Sequence, residues 1–380
     1  MNRWARARRL GLALVVVLAS LLAGAAVAVE PARDARGAGT DRSDVVRRTP
    51  DGENPLAGRR WGVYQGSGDQ AWDPFVRARG KKKALLARIA LAPKAKWYGM
   101  WIPKSQIQAK VADHVRNAQA GDPETLVQLT VFALKPWEDE ACKRLPTAKE
   151  QRTYKTWIDR FAAGVGSAHV ALVLQPDGPF ALCAPGGSTL PSSLVGYAAR
   201  VFAALPNTSV YIDAGASDWL RNDPAKALQI LLPAGIDVAR GFALNSTHYA
   251  STSAEVAYGA SVVQALAAAG LPGKHFVVNT AANGAPFNGY EYRGKGHFDN
   301  ADTCRAPGQT ACVTLGIPPT ADVANPAWGL SATDAASAAA YVDGYLWIGR
   351  PWLRMQADPF DMRRALAVAR TTPFTSPYAP

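Results

Sequence analysis

The chain has 380 residues, 48% hydrophobic and 9% aromatic, with a net charge of +12. That is enough apolar material for one barrel-sized domain or two ordinary ones. The charge excludes less than it suggests: residues 1–60 carry 11 arginines against six acids, so +5 of the total lies outside the folded part. What remains has no basic stripe interleaved with aromatics and no recognised binding motif, so a nucleic-acid partner is not expected.

Arg3, Arg6, Arg8 and Arg9 precede an apolar run from Leu10 that ends in small residues at 26-AVA-28. Basic, then apolar, then A-x-A is the pattern of a secretory signal over residues 1–28, which makes the expected location extracellular. The apolar run is long enough to make an uncleaved membrane anchor the alternative, and no later stretch is apolar for long enough to span a bilayer. Residues 29–60 are rich in Arg, Asp, Gly and Pro and read as a disordered spacer. From Trp61 the composition turns globular and stays so, giving a single domain over 61–376.

Within that domain strand-like runs recur at 96–103, 126–134, 169–177, 208–215, 239–245, 274–281 and 344–349. Between them lie helix-like segments such as 104–119, 150–165, 189–204, 253–270 and 361–370. Short β-branched runs alternating with amphipathic helices mean repeated βα units around a parallel sheet. The expected fold is therefore α/β, a distorted TIM-like β/α barrel of about seven parallel strands, with an open doubly wound sheet as competitor. No G-x-G-x-x-G or P-loop motif opens a helix, and no cofactor is expected. Lys81–Lys83 read as a solvated helix face, and His114, on a helix, as a surface residue.

Four cysteines suit an oxidising compartment. Cys304 and Cys312 lie eight apart and can staple a local loop, leaving Cys142 and Cys183 for a longer span, though four cysteines allow three connectivities. Neither C-x-x-C nor a close His pair occurs, so no metal site is expected.

In a β/α barrel the active site forms where strands end and βα loops begin. Those ends carry Trp101, Asp177, Asp213, Asn245, Asn279, Thr280 and Trp347, while the strand bodies are apolar. Carboxylates and amides that bind hydroxyl groups, with indole faces that stack on sugar rings, suit a polyhydroxylated ligand. Tyr249 and Asn283 read as further wall residues. Asn245 opens a glycosylation sequon but at a strand end reads better as a sugar-contacting amide. No G-x-S-x-G elbow is present, which leaves hydrolysis by paired carboxylates.

The segments 172-LVLQPDG-178, 210-VYIDAGASDWL-220, 240-RGFALN-245, 315-LGIPPT-320 and 344-GYLWIG-349 resemble, in order and spacing, glycoside hydrolase family 6, the cellulases and cellobiohydrolases. The resemblance spans the globular part and implies inverting hydrolysis of a β-1,4-glucan by a monomer. Both cysteine pairs fall where that family places its disulfides. The aspartate of the family's E-P-D motif, its general acid, falls on Asp177. An inverting acid needs a raised pKa and a second carboxylate roughly 6.5–9.5 Å away. Here Gln175 replaces the motif's glutamate. The P-x-R-D-C motif reads 134-LKPWEDEAC-142, so Asp139 or Glu140 stands in for its auxiliary aspartate. Phe132 replaces a tyrosine, Ala216 a histidine, and 279-NTAANG-284 lacks the usual Asp and Arg. The segment that carries the proposed base reads 349-GRPWLRMQADPFD-361, where Asp358 is the nearest candidate and an Asp-Pro helix start is its structural reading. A barrel that binds polysaccharide without efficient turnover, or that hydrolyses a related β-glucan, is the alternative. Endo and exo action stay open.

Overall fold

Seven short runs rich in Val, Leu, Ile and Phe form one parallel sheet in the computed structural model, which describes residues 53–378 apart from 293 and 295–297. The strands are β1 (Lys96–Gly99), β2 (Val127–Phe132), β3 (Val170–Leu174), β4 (Thr208–Asp213), β5 (Gly241–Leu244), β6 (His275–Asn279) and β7 (Val342–Leu346). Each pairs with the next in sequence, as right-handed βα units require. The helices are α1 (Trp72–Arg77), α2 (Gly80–Ala90), α3 (Ile107–Gln119), α4 (Ala148–Val165), α5 (Leu190–Ala203), α6 (Pro224–Leu231), α7 (Thr252–Ala268), α8 (Ala332–Tyr341) and α9 (Met362–Thr371). A two-stranded hairpin, β8 (Leu353–Arg354) and β9 (Ala357–Phe360), follows the last barrel strand.

Most strand residues are apolar because both faces are buried, and polar ones within the runs, Gln128 and Thr130 on β2 and Asp343 on β7, are buried as well. On β3, Val170, Leu172 and Leu174 meet the helices, while Ala171 and Val173 point into the lumen with Trp97, Tyr211, Ala243, Val277 and Leu346. The helices supply the outer layer through one stripe each. In α4, Tyr154, Trp157, Ile158, Phe161 and Val165 are buried at helical spacing. Thr147 caps that helix by accepting from Glu150 N, while the Glu150 carboxylate accepts in return from Thr147 N. Each fully buried large side chain contributes about 1.5–3 kcal/mol.

The sheet curls until its ends meet. Ala95 N donates to Trp347 O at 2.9 Å, and Trp97 Nε1 donates to Ile348 O at 2.8 Å. This seam sets the start of β1 beside the end of β7, as the stagger of a tilted barrel demands. Deep in the lumen, Asp343 on β7 is fully buried. It accepts from Arg240 Nε and Nη2 at 2.8 and 2.9 Å and from Tyr211 OH at 2.7 Å, with His275 Nδ1 at 3.2 Å.

All seven expected strands are present, and the barrel-like α/β architecture holds. The expected signal at 1–28 and the spacer up to residue 52 lie outside the described residues. The last residues of that spacer are packed instead: Leu56 is fully buried, and Asn54 Nδ2 donates to Asp343 O at 2.8 Å. The folded body thus begins upstream of residue 61. His114 is also corrected. It is buried, with its ring stacked on Tyr64 at 4.7 Å. Among the described residues no helix is long and apolar enough to cross a membrane.

Asp343→Ala would remove the carboxylate that Arg240, Tyr211 and His275 share, and removing one partner of a buried pair costs about 3–5 kcal/mol. That loss is expected as a lower urea midpoint; a midpoint within error of the parent would show that the cluster does not hold the lumen.

Candidate active site

The strand ends open into a cleft of about 750 Å³. β3 delivers Asp177 to its floor through two left-handed residues, Gln175 (φ 55°) and Asp177 (φ 65°), on either side of Pro176. The Gln175 side-chain oxygen accepts from Ala133 N and Leu134 N at 3.2 and 3.1 Å, which ties the end of β2 to this turn. Trp137 Nε1 donates to Pro176 O at 2.9 Å. The next residue has to be glycine, because a Cβ on Gly178 would lie 2.2 Å from Asp213 O. The turn then runs to Cys183, joined to Cys142 by a disulfide; Cys304 and Cys312 form the second.

Asp177 Oδ1 accepts from Thr247 Oγ1 at 2.7 Å. Burial pushes its pKa up to about 7; the Thr247 hydrogen bond opposes the rise, and the charges of Asp213 and Glu138 add to it. Asp213, at the end of β4, is 1% exposed and sits behind the floor. Its Oδ1 accepts from Gly178 N and Gly215 N, both at 2.9 Å, and its Oδ2 from Ser246 Oγ. Burial raises Asp213 to about 6 against the pull of those donors.

The segment after β2 places its acids differently from expectation. Glu138 and Asp139 line the cleft. Glu140 does not; it turns away to pair with Arg144 at 2.9 Å. Burial raises the Glu138 pKa, and Asp299 and Asp139 raise it further. Glu138 escaped the sequence reading because the extra residue in 134-LKPWEDEAC-142 left its register open. On the β4 and β5 side, Trp219 and His248 line the cleft with their rings stacked at 4.8 Å, and His248 Nδ1 lies 2.8 Å from Asp218 Oδ1. Burial would raise Asp218, but the hydrogen bond and charge of His248 hold it below its ordinary value. The pattern A-S-D-W-L was a signal for this pair that the strand-end reading passed over.

Trp101 stands on the rim, 59% exposed, with its ring folded over Gly99, where a Cβ would be only 2.2 Å from the indole. Trp347 reaches the cleft as part of the floor, buried and held by its Nε1 donating to Ile317 O at 3.0 Å. Three expected wall residues are structural instead. The amide of Asn245, at φ 65°, donates to Ala250 O and Asn279 O and accepts from Ala250 N, bracing the ends of β5 and β6. Asn283 Nδ2 donates to Ala250 O at 2.9 Å, and Tyr249 is fully buried against Phe287; neither lines the cleft. Asp358 does line it, on β9, exposed, accepting from Gln70 Nε2 at 2.8 Å. The cap of α9 is Asp361, not Asp358. The hairpin tip also puts Gln356 at the cleft, its Nε2 donating to Thr247 O at 3.3 Å.

Among the described residues no group of three or more His, Cys, Asp or Glu side chains is placed to hold a metal. The cleft offers a protonatable carboxyl on its floor, further carboxylates on its walls and indole rings at its rim. Such a cleft at the mouth of a curled sheet of seven βα units makes the chain an α/β barrel protein with its site at the strand ends. The chain is a member of Glycosyl hydrolases family 6, whose family model matches residues 62–348. Endoglucanase A of Cellulomonas fimi is 35% identical over 232 residues, 60% of this chain and 48% of that protein. Endoglucanase 1 of Streptomyces halstedii is 31% identical over 228 residues, 57% of this chain and 67% of that one. The match thus spans about half the length of the first of these relatives. The structure of the endoglucanase Cel6 from Mycobacterium tuberculosis, in complex with methyl-cellobiosyl-4-deoxy-4-thio-β-D-cellobioside, aligns with a TM-score of 0.64 at 26% identity. That alignment covers 83% of this chain and 98% of that one.

The Thr247 hydroxyl favours the charged form of Asp177, so Thr247→Val is expected to raise the Asp177 pKa above about 7, by about one pH unit. Carboxyl ¹³C titration reads this directly; an unchanged or lower value would discard the hydrogen bond as a determinant.

Proposed function

We propose that the protein is an exported, monomeric glycosidase that hydrolyses β-1,4-linkages of cellulose or a related glucan with inversion. The observation that carries this reading is the Asp177 carboxyl on the cleft floor, its pKa pushed up to about 7 by burial. A group that stays protonated near neutrality can give its proton to the leaving glycosidic oxygen as the C–O bond breaks. Water then attacks the anomeric carbon from the opposite face and loses a proton to a carboxylate base. Asp358, on the hairpin after the last barrel strand, is the base we assign, reached through a water relay. Asp213 and Glu138 act through Asp177: the first fixes the chain just after it, and both add negative charge beside it, while Asp139 lines the same cleft and raises Glu138. Trp101 and Trp347 contribute subsite surface. Membership of the family and the endoglucanase relatives support the substrate class.

Asn tolerates the left-handed backbone at position 177, so Asp177→Asn removes the proton and keeps the turn. Release of reducing ends from carboxymethylcellulose is expected to fall by about 10²–10⁴-fold with binding retained; undiminished release would sink the assignment. If the parent protein binds the polymer and releases nothing, the polysaccharide-binding alternative takes its place. Export predicts a mature chain beginning at Val29, which intact mass of the secreted protein checks; retention of residues 1–28 would favour the membrane anchor.

A further inference from the structure

The β1–β7 seam brings cations to one end of the cleft, where Lys94, Lys96 and Arg350 all line it. Lys94 is fully committed: its Nζ donates to Ile89 O at 2.6 Å and Ala92 O at 3.1 Å and pairs with Asp69 at 2.9 Å. Lys96 Nζ donates only to Gly68 O. Arg350 differs from both. Its guanidinium lies over the Trp97 ring, 4.4 Å from the centroid, and its Nε is buried without a hydrogen-bond partner. The carboxylate that acts on it, Asp358, does so through charge alone and is held by Gln70. Three cations, Lys94, Lys96 and Arg350, thus stand against two carboxylates, Asp69 and Asp358, an excess of one positive charge; both carboxylates act on Lys96, whose pKa burial lowers. His114 adds none, since burial, then Lys96 and Lys94, press its pKa down to about 3.

The Nε of a guanidinium lying over an indole in this way has lost its water and gained no acceptor. Its fork matches a carboxylate, and a neutral glucose residue offers no anion to fill it. We propose that this end of the cleft binds a glycan residue bearing a carboxylate, a uronic acid, with Arg350 on the carboxylate and Lys96 beside it. The inference rests on reading the cleft as a glucan site and narrows the substrate to chains that carry acidic sugars. One excess charge fits a monoanion better than a phosphate monoester, which carries close to two negative charges at neutral pH.

The test is calorimetric binding to the full-length Asp177→Asn protein, which removes turnover. Cellotetraose is compared with cellotetraose oxidised at C6 to glucuronosyl units, and with its C6-phosphorylated counterpart. The uronate is expected to bind about tenfold more tightly than the neutral sugar at low salt, with the advantage shrinking as salt rises. Arg350→Gln is expected to abolish the advantage, and Lys96→Met to reduce it, with thermal melting as the control for folding. Arg350→Lys keeps the charge without the planar fork and is expected to retain only part of it. Equal binding of the uronate and neutral sugars, tighter binding of the phosphate, or a preference that survives a folded Arg350→Gln would each overturn the proposal. Binding of the neutral sugar alone would overturn this inference and leave the glucan reading standing, whereas no binding of any of the three would overturn both.

Discussion

Asp213 has almost no contact with water, and its two oxygens take hydrogen bonds from the ends of three neighbouring strands: Gly178 N after β3, Gly215 N after β4 and Ser246 Oγ after β5. Three donors on one carboxylate is the condition under which a buried charge becomes tolerable. The arrangement fixes the chain immediately after Asp177, and so fixes where that carboxyl points. Gly178 belongs to the same constraint, since any side chain there would collide with Asp213. Thr247, beside Ser246, then reaches Asp177 itself. The floor of the cleft is thus a small polar network, each part placed by the next.

The pKa values follow from that construction. Asp177 and Asp213 are both raised by burial and both restrained by donors, but Asp213 has several and Asp177 has Thr247. The front carboxyl therefore comes out higher, at about 7 against about 6. The charge of Asp213 adds to the rise at Asp177.

Much of this was legible in the sequence, for definite reasons. A strand buried on both faces is mostly apolar, so all seven were visible as runs despite Gln128, Thr130 and Asp343 within them. Q-P-D-G and D-A-G stood out because an acid at the end of such a run needs a partner or a cleft. Height in the barrel was readable; direction was not. Asn245, Asn283 and Tyr249 sit at the expected height but point inward, where they satisfy backbone groups or pack on Phe287, and no periodicity distinguishes the two directions. Lys96 escaped for the opposite reason, since it starts a strand and only the stagger of the closed sheet lifts it to the rim. The hairpin at 353–360 escaped because its strands are too short to alternate, and Glu140 was misplaced by one turn of a tight 3₁₀ segment.

The seam between β1 and β7 separates two kinds of inheritance. The carboxyl-bearing floor is built from the ends of β3, β4 and β5, whereas the cationic end hangs on β1 and on the segment that follows β7. These regions share the lumen but none of the hydrogen bonds around Asp213. Substitution of Lys96 or Arg350 can therefore change the charge of that end without touching the bonds around Asp213, whereas the hairpin also reaches the floor, through Gln356 on Thr247 O.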